Sequence, residues 1–218
     1  MPSRESFHQE LREIEESVIQ MASLVESAIA RAMQALVRRD LLLAEEVKTG
    51  DGMVNELQRS IRNRCISVMA RQAPVARDLR ELTTVQLVIN ELERMGDHVV
   101  GIAKQVVRLQ DHEPLALTGD LAELAKLVRE QVHAGIEAFV DVNVQQARDI
   151  CAKDDEIDHQ YKTIFSELLN QMAADATAVP AATGLLFVAH DLERVGDRVT
   201  NICEDIIYMV SGEIEELN

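Results

Sequence analysis

The sequence predicts an all-α protein built from two tandem antiparallel three-helix bundles that arose by internal duplication. The motif Leu-Glu-Arg-x-Gly-Asp occurs twice, ending at Asp97 and again at Asp197. Apolar residues recur at alternating steps of three and four over long stretches, which is the pattern of helices with one buried face. No segment has the alternation of a strand, and the chain of 218 residues contains only four prolines. We therefore predict one bundle over 1–112 and a second over 113–218.

The duplication extends well beyond that motif. The apolar pattern that begins at Val25 matches the pattern that begins at Val128, and Asp51 aligns with Asp154. The alignment then shifts by roughly three residues before the second motif, so one loop between helices is shorter in the second half. A functional site in one half is therefore expected to have a counterpart in the other.

The first two helices follow directly from the apolar periodicity. Helix one carries an apolar stripe over 7–35, as a long bundle helix does. Helix two is predicted over 40–72, because Pro74 prevents its continuation. Gly50 and Gly52 are expected to weaken its middle and to permit a kink there.

The third helix and the second half repeat this order. Helix three is predicted over 75–110, and turn-forming residues at 111–120 form a linker between the halves. The remaining helices are predicted over 120–142, 144–174 and 180–210. Helices of this length pack side by side as an elongated bundle with short turns.

Composition limits the classes of partner and the compartment. A formal net charge of −16 argues strongly against a nucleic-acid partner, because contact with a phosphate backbone depends on clustered Lys and Arg. No apolar run is long enough for a bilayer and no secretory signal begins the chain, so we expect a cytoplasmic protein. Cys65, Cys151 and Cys203 are odd in number and lack Cys-x-x-Cys spacing, which predicts reduced, buried thiols.

Acidic side chains spaced by four residues form the candidate sites. This spacing puts both side chains of a pair on one face of a helix, within reach of a common cation. On helices three and six the pairs lie at the edge of the buried stripe, where a half-desolvated carboxylate needs a partner charge. Paired acids or amides on helices two and five are expected to face them. The eight residues are Asp51, Asn55, Glu93, Asp97, Asp154, Asp158, Glu193 and Asp197.

Two interpretations of these pairs remain open. Oxygen ligands are preferred by Mg²⁺, Ca²⁺, Mn²⁺ and ferric iron, whereas the absence of His and Cys clusters disfavours structural zinc. Alternatively, the acids form salt bridges between helices without any metal. Gly96 and Gly196 interrupt the two acid pairs and are expected to permit close helix packing. The arginines available for such a network are Arg62, Arg64, Arg80, Arg94 and Arg194.

Four segments together resemble the PhoU family of phosphate-uptake regulators. They are the turn and helix start Gln-Ala-Pro-Val-Ala-Arg-Asp-Leu-Arg at 72–80, the two Leu-Glu-Arg-x-Gly-Asp motifs, and Asn-Ile-Cys-Glu-Asp-Ile-Ile-Tyr at 201–208. The resemblance covers essentially the whole chain. The second half departs from it at 173–177, where Ala-Ala-Asp-Ala-Thr replaces the turn, so Asp78 and Arg80 lack symmetric partners.

The resemblance implies a cytoplasmic regulator without catalysis, made of two three-helix bundles. Such proteins restrain phosphate uptake and the phosphate-starvation response, and act between the high-affinity phosphate ABC transporter ATPase and a phosphate-sensing histidine kinase. The resemblance also implies a homodimer that is peripheral to the membrane through its partners. Family members hold metal ions on these acid pairs, in some cases as multinuclear iron clusters, so iron, Mg²⁺ or Mn²⁺ is expected here. Asn55 gives the first site one negative charge fewer than the second.

Two other functional classes remain as alternatives. A di-iron carboxylate enzyme would use Glu-x-x-His motifs, and neither acid pair here has a His three residues after its Glu. His98 directly follows Asp97, and His190 precedes Glu193. A metal-free helical adaptor would bind no cation and would have partners unrelated to phosphate transport.

Overall fold

The computed structural model of the protein describes residues 4–215 and residue 217, and it confirms the all-α prediction. No strand occurs within those residues. A short 3₁₀ turn, Ala176–Ala178, precedes the last helix. The six helices are α1 (Arg4–Arg38), α2 (Leu41–Gln72), α3 (Arg77–Arg108), α4 (Thr118–Val140), α5 (Val144–Ala174) and α6 (Val179–Ser211).

The turn between the first two helices of each half is built the same way twice. Asp40 caps α2 and Asn143 caps α5, each accepting a hydrogen bond from the backbone N–H three residues later, at 3.0 and 3.1 Å. The residue before each cap has a left-handed backbone, with φ of 55° at Arg39 and 52° at Val142. This repeated geometry shows the duplication at the level of individual dihedral angles.

Arg39 adds a contact that its counterpart Val142 cannot make. Its guanidinium donates hydrogen bonds to the backbone carbonyls of Leu109 and Gln110, at 2.7 and 2.8 Å, and also to the carbonyl of His112. These bonds satisfy carbonyl groups at the end of α3 that have no partner within the helix. They hold the start of the linker between the halves against the turn that joins α1 to α2.

The two halves share one continuous apolar core. Helices α1, α2 and α3 pack together in the first half and α4, α5 and α6 in the second, while α3 packs on α6 and α1 on α4 between the halves. The α3–α6 contact is antiparallel, since Arg80 reaches the carbonyl of Met209 at 3.1 Å and Leu109 lies against Gly184. The two Leu-Glu-Arg-x-Gly-Asp motifs therefore cross near the pseudo-twofold axis.

The glycines predicted to weaken α2 do not interrupt it. Gly50 and Gly52 lie within one unbroken helix, and a Cβ at either position would meet open space. The three cysteines are free and buried, as the sequence predicted. Within the described part of the chain, no helix combines the length and the apolar character that a membrane span requires.

Candidate metal centres

The first candidate centre lies between α2 and α3. Asp51 packs directly on the α3 backbone, because its Oδ1 lies only 2.8 Å from the position that a Cβ on Gly96 would occupy. Asn55 donates a hydrogen bond from Nδ2 to Asp51 Oδ2 at 2.7 Å. The glycine between Glu93 and Asp97 thus admits the facing carboxylate, as the close-packing prediction required.

The acids of this centre repel one another. The pKa of Asp51 is raised by burial and then by Asp97, although the hydrogen bond from Asn55 and the charge of Lys104 oppose the shift. The pKa of Glu93 is also raised, first by burial and then by Asp97 and Asp51. Three carboxyl groups from two helices therefore lie close enough to share one electrostatic environment, which a cation would relieve.

The second candidate centre, between α5 and α6, has the same plan. Asp154 faces Gly196, with its Oδ1 at 3.5 Å from the position of an added Cβ. Here a fifth polar group takes part: Gln131 on α4 donates from Nε2 to Asp154 Oδ1 at 2.7 Å, and its Oε1 lies 3.3 Å from the same Cβ position. The second centre is therefore lined by three helices.

Sequence reasoning missed Gln131. Its position aligns with Ala28 in the first half, where Ala28, Asp51 and Gly96 instead border a cavity of about 60 Å³. A buried glutamine within the apolar stripe of α4 was the available signal, because a buried amide needs a polar partner.

Burial dominates the electrostatics of the second centre. It raises the pKa values of Asp154, Glu193 and Asp197, and Asp158 adds repulsion to all three. Arg194 donates a hydrogen bond to Asp197 at 2.6 Å, and its charge opposes the upward shift of the Asp197 pKa without cancelling it. Lys162 similarly holds Asp158 at 2.7 Å.

Two buried oxygen atoms of this centre have no hydrogen-bond donor among the described residues. They are Glu193 Oε2 and Gln131 Oε1. His190 Nδ1 lies 3.6 Å from Glu193 Oε2, beyond hydrogen-bond distance. An unsatisfied buried acceptor destabilises a fold by about 1–3 kcal/mol, so it persists where something else supplies the partner. Oxygen atoms from carboxylates and an amide form the donor set that hard cations prefer, and these residues fit such an ion.

The candidate ligands do not form a coordination sphere in their present rotamers. Within residues 4–215 and 217, no three His, Cys, Asp or Glu side chains stand close enough together to hold a metal as they are oriented. Asp158 and Asp197 each bond to a basic side chain from one of their oxygens. Rotation of these side chains about their own χ angles is therefore required before they could ligate one ion.

The predicted arginine network between the helices is largely absent. Of the five arginines considered, only Arg194 forms an ion pair with a candidate ligand among the described residues. The others bond elsewhere: Arg62 to Asn90, Arg64 to Glu13, Arg80 to the carbonyl of Met209, and Arg94 to Glu91. Salt bridges alone therefore do not account for the acidic side chains at the first centre.

Comparison with known proteins identifies the family. The sequence model of the PhoU domain matches residues 18–106 and again residues 121–206. The chain belongs to the PhoU family. One PhoU match falls in each half, and all eight candidate ligands lie within the two matches. The boundary between 112 and 113 stays a prediction.

Three PhoU relatives match the chain over nearly their whole length. The chain is 36% identical over 217 residues to the phosphate-specific transport system accessory protein PhoU homolog of Clostridium acetobutylicum, covering 99% of each chain. It resembles the crystal structure of the phosphate transport system regulatory protein PhoU from Streptococcus pneumoniae with a TM-score of 0.91, 31% identity, and coverage of 97% and 100%. PhoU from Pseudomonas aeruginosa gives a TM-score of 0.90 at 29% identity, covering 95% and 100%.

Proposed function

We propose that this protein is an accessory regulator of a phosphate-specific transport system that restrains phosphate uptake and phosphate-starvation signalling when phosphate is plentiful. The observation that carries the proposal is the PhoU match in both halves, which together make up most of the chain. Relatives matched over 99% of the chain are named as accessory proteins of that transport system. The protein acts without catalysis of its own.

Its partners are the ATPase of the phosphate ABC transporter and a phosphate-sensing histidine kinase. The protein works at the cytoplasmic side as a homodimer and reaches the membrane through these partners. Support comes from the transport-system names of the relatives and from the acidic surface, which suits basic protein surfaces rather than nucleic acid.

Regulation is tested in a deletion strain that carries a phosphate-starvation reporter. Loss of the protein should leave the reporter expressed in phosphate-rich medium, and the wild-type gene should restore repression. Normal repression in the deletion strain, with no related gene present, would contradict the proposal. A pull-down from native membranes then asks whether the transporter ATPase or the kinase is bound.

We further propose that the second centre holds a hard cation such as Mn²⁺, Mg²⁺ or ferric iron, and that the first centre holds one more weakly. The carboxylate ligands would be Asp154, Asp158, Glu193 and Asp197. Gln131 Oε1 would be an additional oxygen ligand. The orphaned oxygen atom of Glu193 supports this assignment. A bound ion would neutralise mutually repelling acids and cross-link α5 to α6, which stabilises the folded state by mass action.

Elemental analysis of protein purified without a polyhistidine tag tests the cation. Replacing Glu193→Ala together with Asp197→Ala should remove the metal and leave the helical circular dichroism intact. The matched control, Glu123→Ala with Glu167→Ala, removes two exposed acids from the second half and should retain it. Equal metal in the wild type and in the Glu193/Asp197 variant would refute the assignment.

A metal-free adaptor is the competing function, and one observation favours it. Lys162 and Arg194 already neutralise two of the four acids at the second centre. The adaptor predicts no bound metal and no change in melting temperature on addition of Mn²⁺. The same purified protein therefore discriminates between the two.

A further inference from the structure

Basic side chains gather where α3 crosses α6, between the two candidate metal centres. Arg94 and His98 from α3, with Arg194 and Arg198 from α6, line an open depression of about 410 Å³, together with Asp97. The arrangement is pseudo-symmetric, because Arg94 and Arg194 occupy the same position of the repeated motif. We call this feature the axial arginine pocket.

One carboxylate serves two of these guanidinium groups. Arg198 Nη1 donates to Glu91 Oε2 at 3.3 Å, and Arg94 Nη1 donates to Glu91 Oε1 at 3.4 Å. Arg198 Nε is buried and has no hydrogen-bond partner in the part of the chain that the structure describes. Arg94 has 58% of its side chain exposed. The pocket therefore contains guanidinium donors that Glu91 alone does not satisfy.

The other charged groups at the pocket are aspartates on α3 and α6. Asp197 holds Arg194 at 2.6 Å, and Asp191 lies 3.0 Å from the ring of His98. Asp97 lines the depression itself. Without a metal, these acids partly offset the charge of the basic groups, so the pocket attracts an anion less strongly. Asp97 and Asp197 are also candidate metal ligands, which links the pocket to both centres.

We propose that the axial arginine pocket binds a small tetrahedral oxyanion of the phosphate class, and that cation binding at the flanking acid pairs strengthens this binding. The coupling rests on the proposed metal centres. A cation ligated by Asp197 would draw charge from the carboxylate that accepts the hydrogen bond from Arg194, so metal binding weakens the hold on that guanidinium. Metal ligation also neutralises Asp97, which would otherwise repel the anion.

The chemistry of the pocket favours this ligand class. Guanidinium groups present planar pairs of N–H donors that match phosphate oxygens in a bidentate geometry. Arg94 and Arg194 approach from the two halves, so one oxyanion would bridge α3 and α6. A polyanionic macromolecule is disfavoured by the net charge of −16, which opposes any extended phosphate backbone.

Calorimetric titration of the full-length protein with inorganic phosphate tests the proposal. The Mn²⁺-loaded protein should bind phosphate about tenfold more tightly than the metal-free protein, within the usual range for coupling between two sites. Arg94→Gln should weaken phosphate binding about tenfold, as expected for loss of a charged hydrogen bond. Arg38→Gln is the matched control, because Arg38 is exposed at the far end of α1.

Arg198→Gln is a second variant whose helical circular dichroism is checked first, because Arg198 is nearly buried against Glu91. Phosphate bound directly by the metal would survive the Arg94 and Arg198 substitutions, and that result would overturn the pocket. Equal weakening by Arg38→Gln would also overturn it, since the effect would then be general charge. Methyl phosphate is titrated in parallel with inorganic phosphate. If the two bind with comparable affinity, the ligand is a phosphate monoester on another molecule. If methyl phosphate binds more weakly, the ligand is the free phosphate ion.

Failure of the pocket is distinguishable from failure of the proposed metal function. Mn²⁺ binding is measured separately by electron paramagnetic resonance. If the ion binds and millimolar phosphate does not, the pocket is wrong while the metal centre stands. If no ion binds, phosphate affinity in metal-free wild type and Arg94→Gln still decides the pocket, because equal affinities would refute it.

Discussion

Glu91 on α3 accepts a hydrogen bond from Arg198 on α6 across the contact between the two halves. The atoms lie 3.3 Å apart, and the side chains are only 11% and 12% exposed. The pseudo-symmetric position holds a different pair, Asp191 with His98, at 3.0 Å and with greater exposure. The same contact therefore has one nearly buried ion pair with an arginine and one more exposed pair with a histidine ring.

Glu91→Ala should lower the free energy of unfolding by about 3–5 kcal/mol, because it leaves Arg198 buried without its carboxylate. Asp191→Ala is the matched variant and should cost less, since an imidazole can stay neutral when its partner is lost. Urea unfolding followed by circular dichroism measures both. Equal losses would show that the two halves tolerate removal of either acid alike.

Gly96→Ala should displace Asp51 from the first centre, because the new Cβ would lie 2.8 Å from Asp51 Oδ1. We expect Mn²⁺ affinity at that centre to fall about tenfold, as for loss of one charged ligand. Gly196→Ala is the control in the other half: its nearest contacts are at 3.3 and 3.5 Å, so smaller shifts accommodate it. A larger effect at Gly196 would contradict the prediction.

Asn55→Asp should raise cation affinity at the first centre about tenfold, because it gives that centre the same four carboxylates as the second. In the metal-free protein it should be destabilising, since it replaces the hydrogen bond to Asp51 at 2.7 Å with a like charge. Thermal unfolding with and without Mn²⁺ measures both effects. Unchanged affinity would mean that neighbouring basic side chains, rather than ligand charge, determine which centre binds the cation more tightly.

Asp205 should make stability fall as pH rises. Burial, followed by repulsion from Glu91 and Glu204, raises its pKa from 3.8 to about 7. The folded state therefore binds a proton that the unfolded state has lost, and stability declines from about pH 4 until the loss is complete above about pH 7. Asp205→Asn should remove this dependence and stabilise the protein by on the order of 2 kcal/mol at pH 8, after allowance for partial exposure. Parallel pH profiles for wild type and variant would contradict the assignment.

The sequence by itself determined the helices, their order and the duplication. Helix α5 occupies the predicted 144–174, and α3 spans Arg77–Arg108 against a predicted 75–110. Such agreement follows from local rules: apolar side chains repeat with the helical period, and caps such as Asp40 satisfy N–H groups within the same turn. The pairing of acids at a spacing of four residues is local as well, which is why the eight candidate ligands could be named from sequence.

Only the tertiary structure decided what surrounds those acids. Gln131 reaches Asp154 from a third helix, and Glu91 meets Arg198 across 107 residues of chain. Sequence reasoning assigned arginines to the centres by proximity along the chain, yet Arg62 and Arg80 bond elsewhere. The physical reason is that periodicity specifies which face of each helix is buried, whereas the packing of all six helices sets which polar groups meet and which rotamers they adopt.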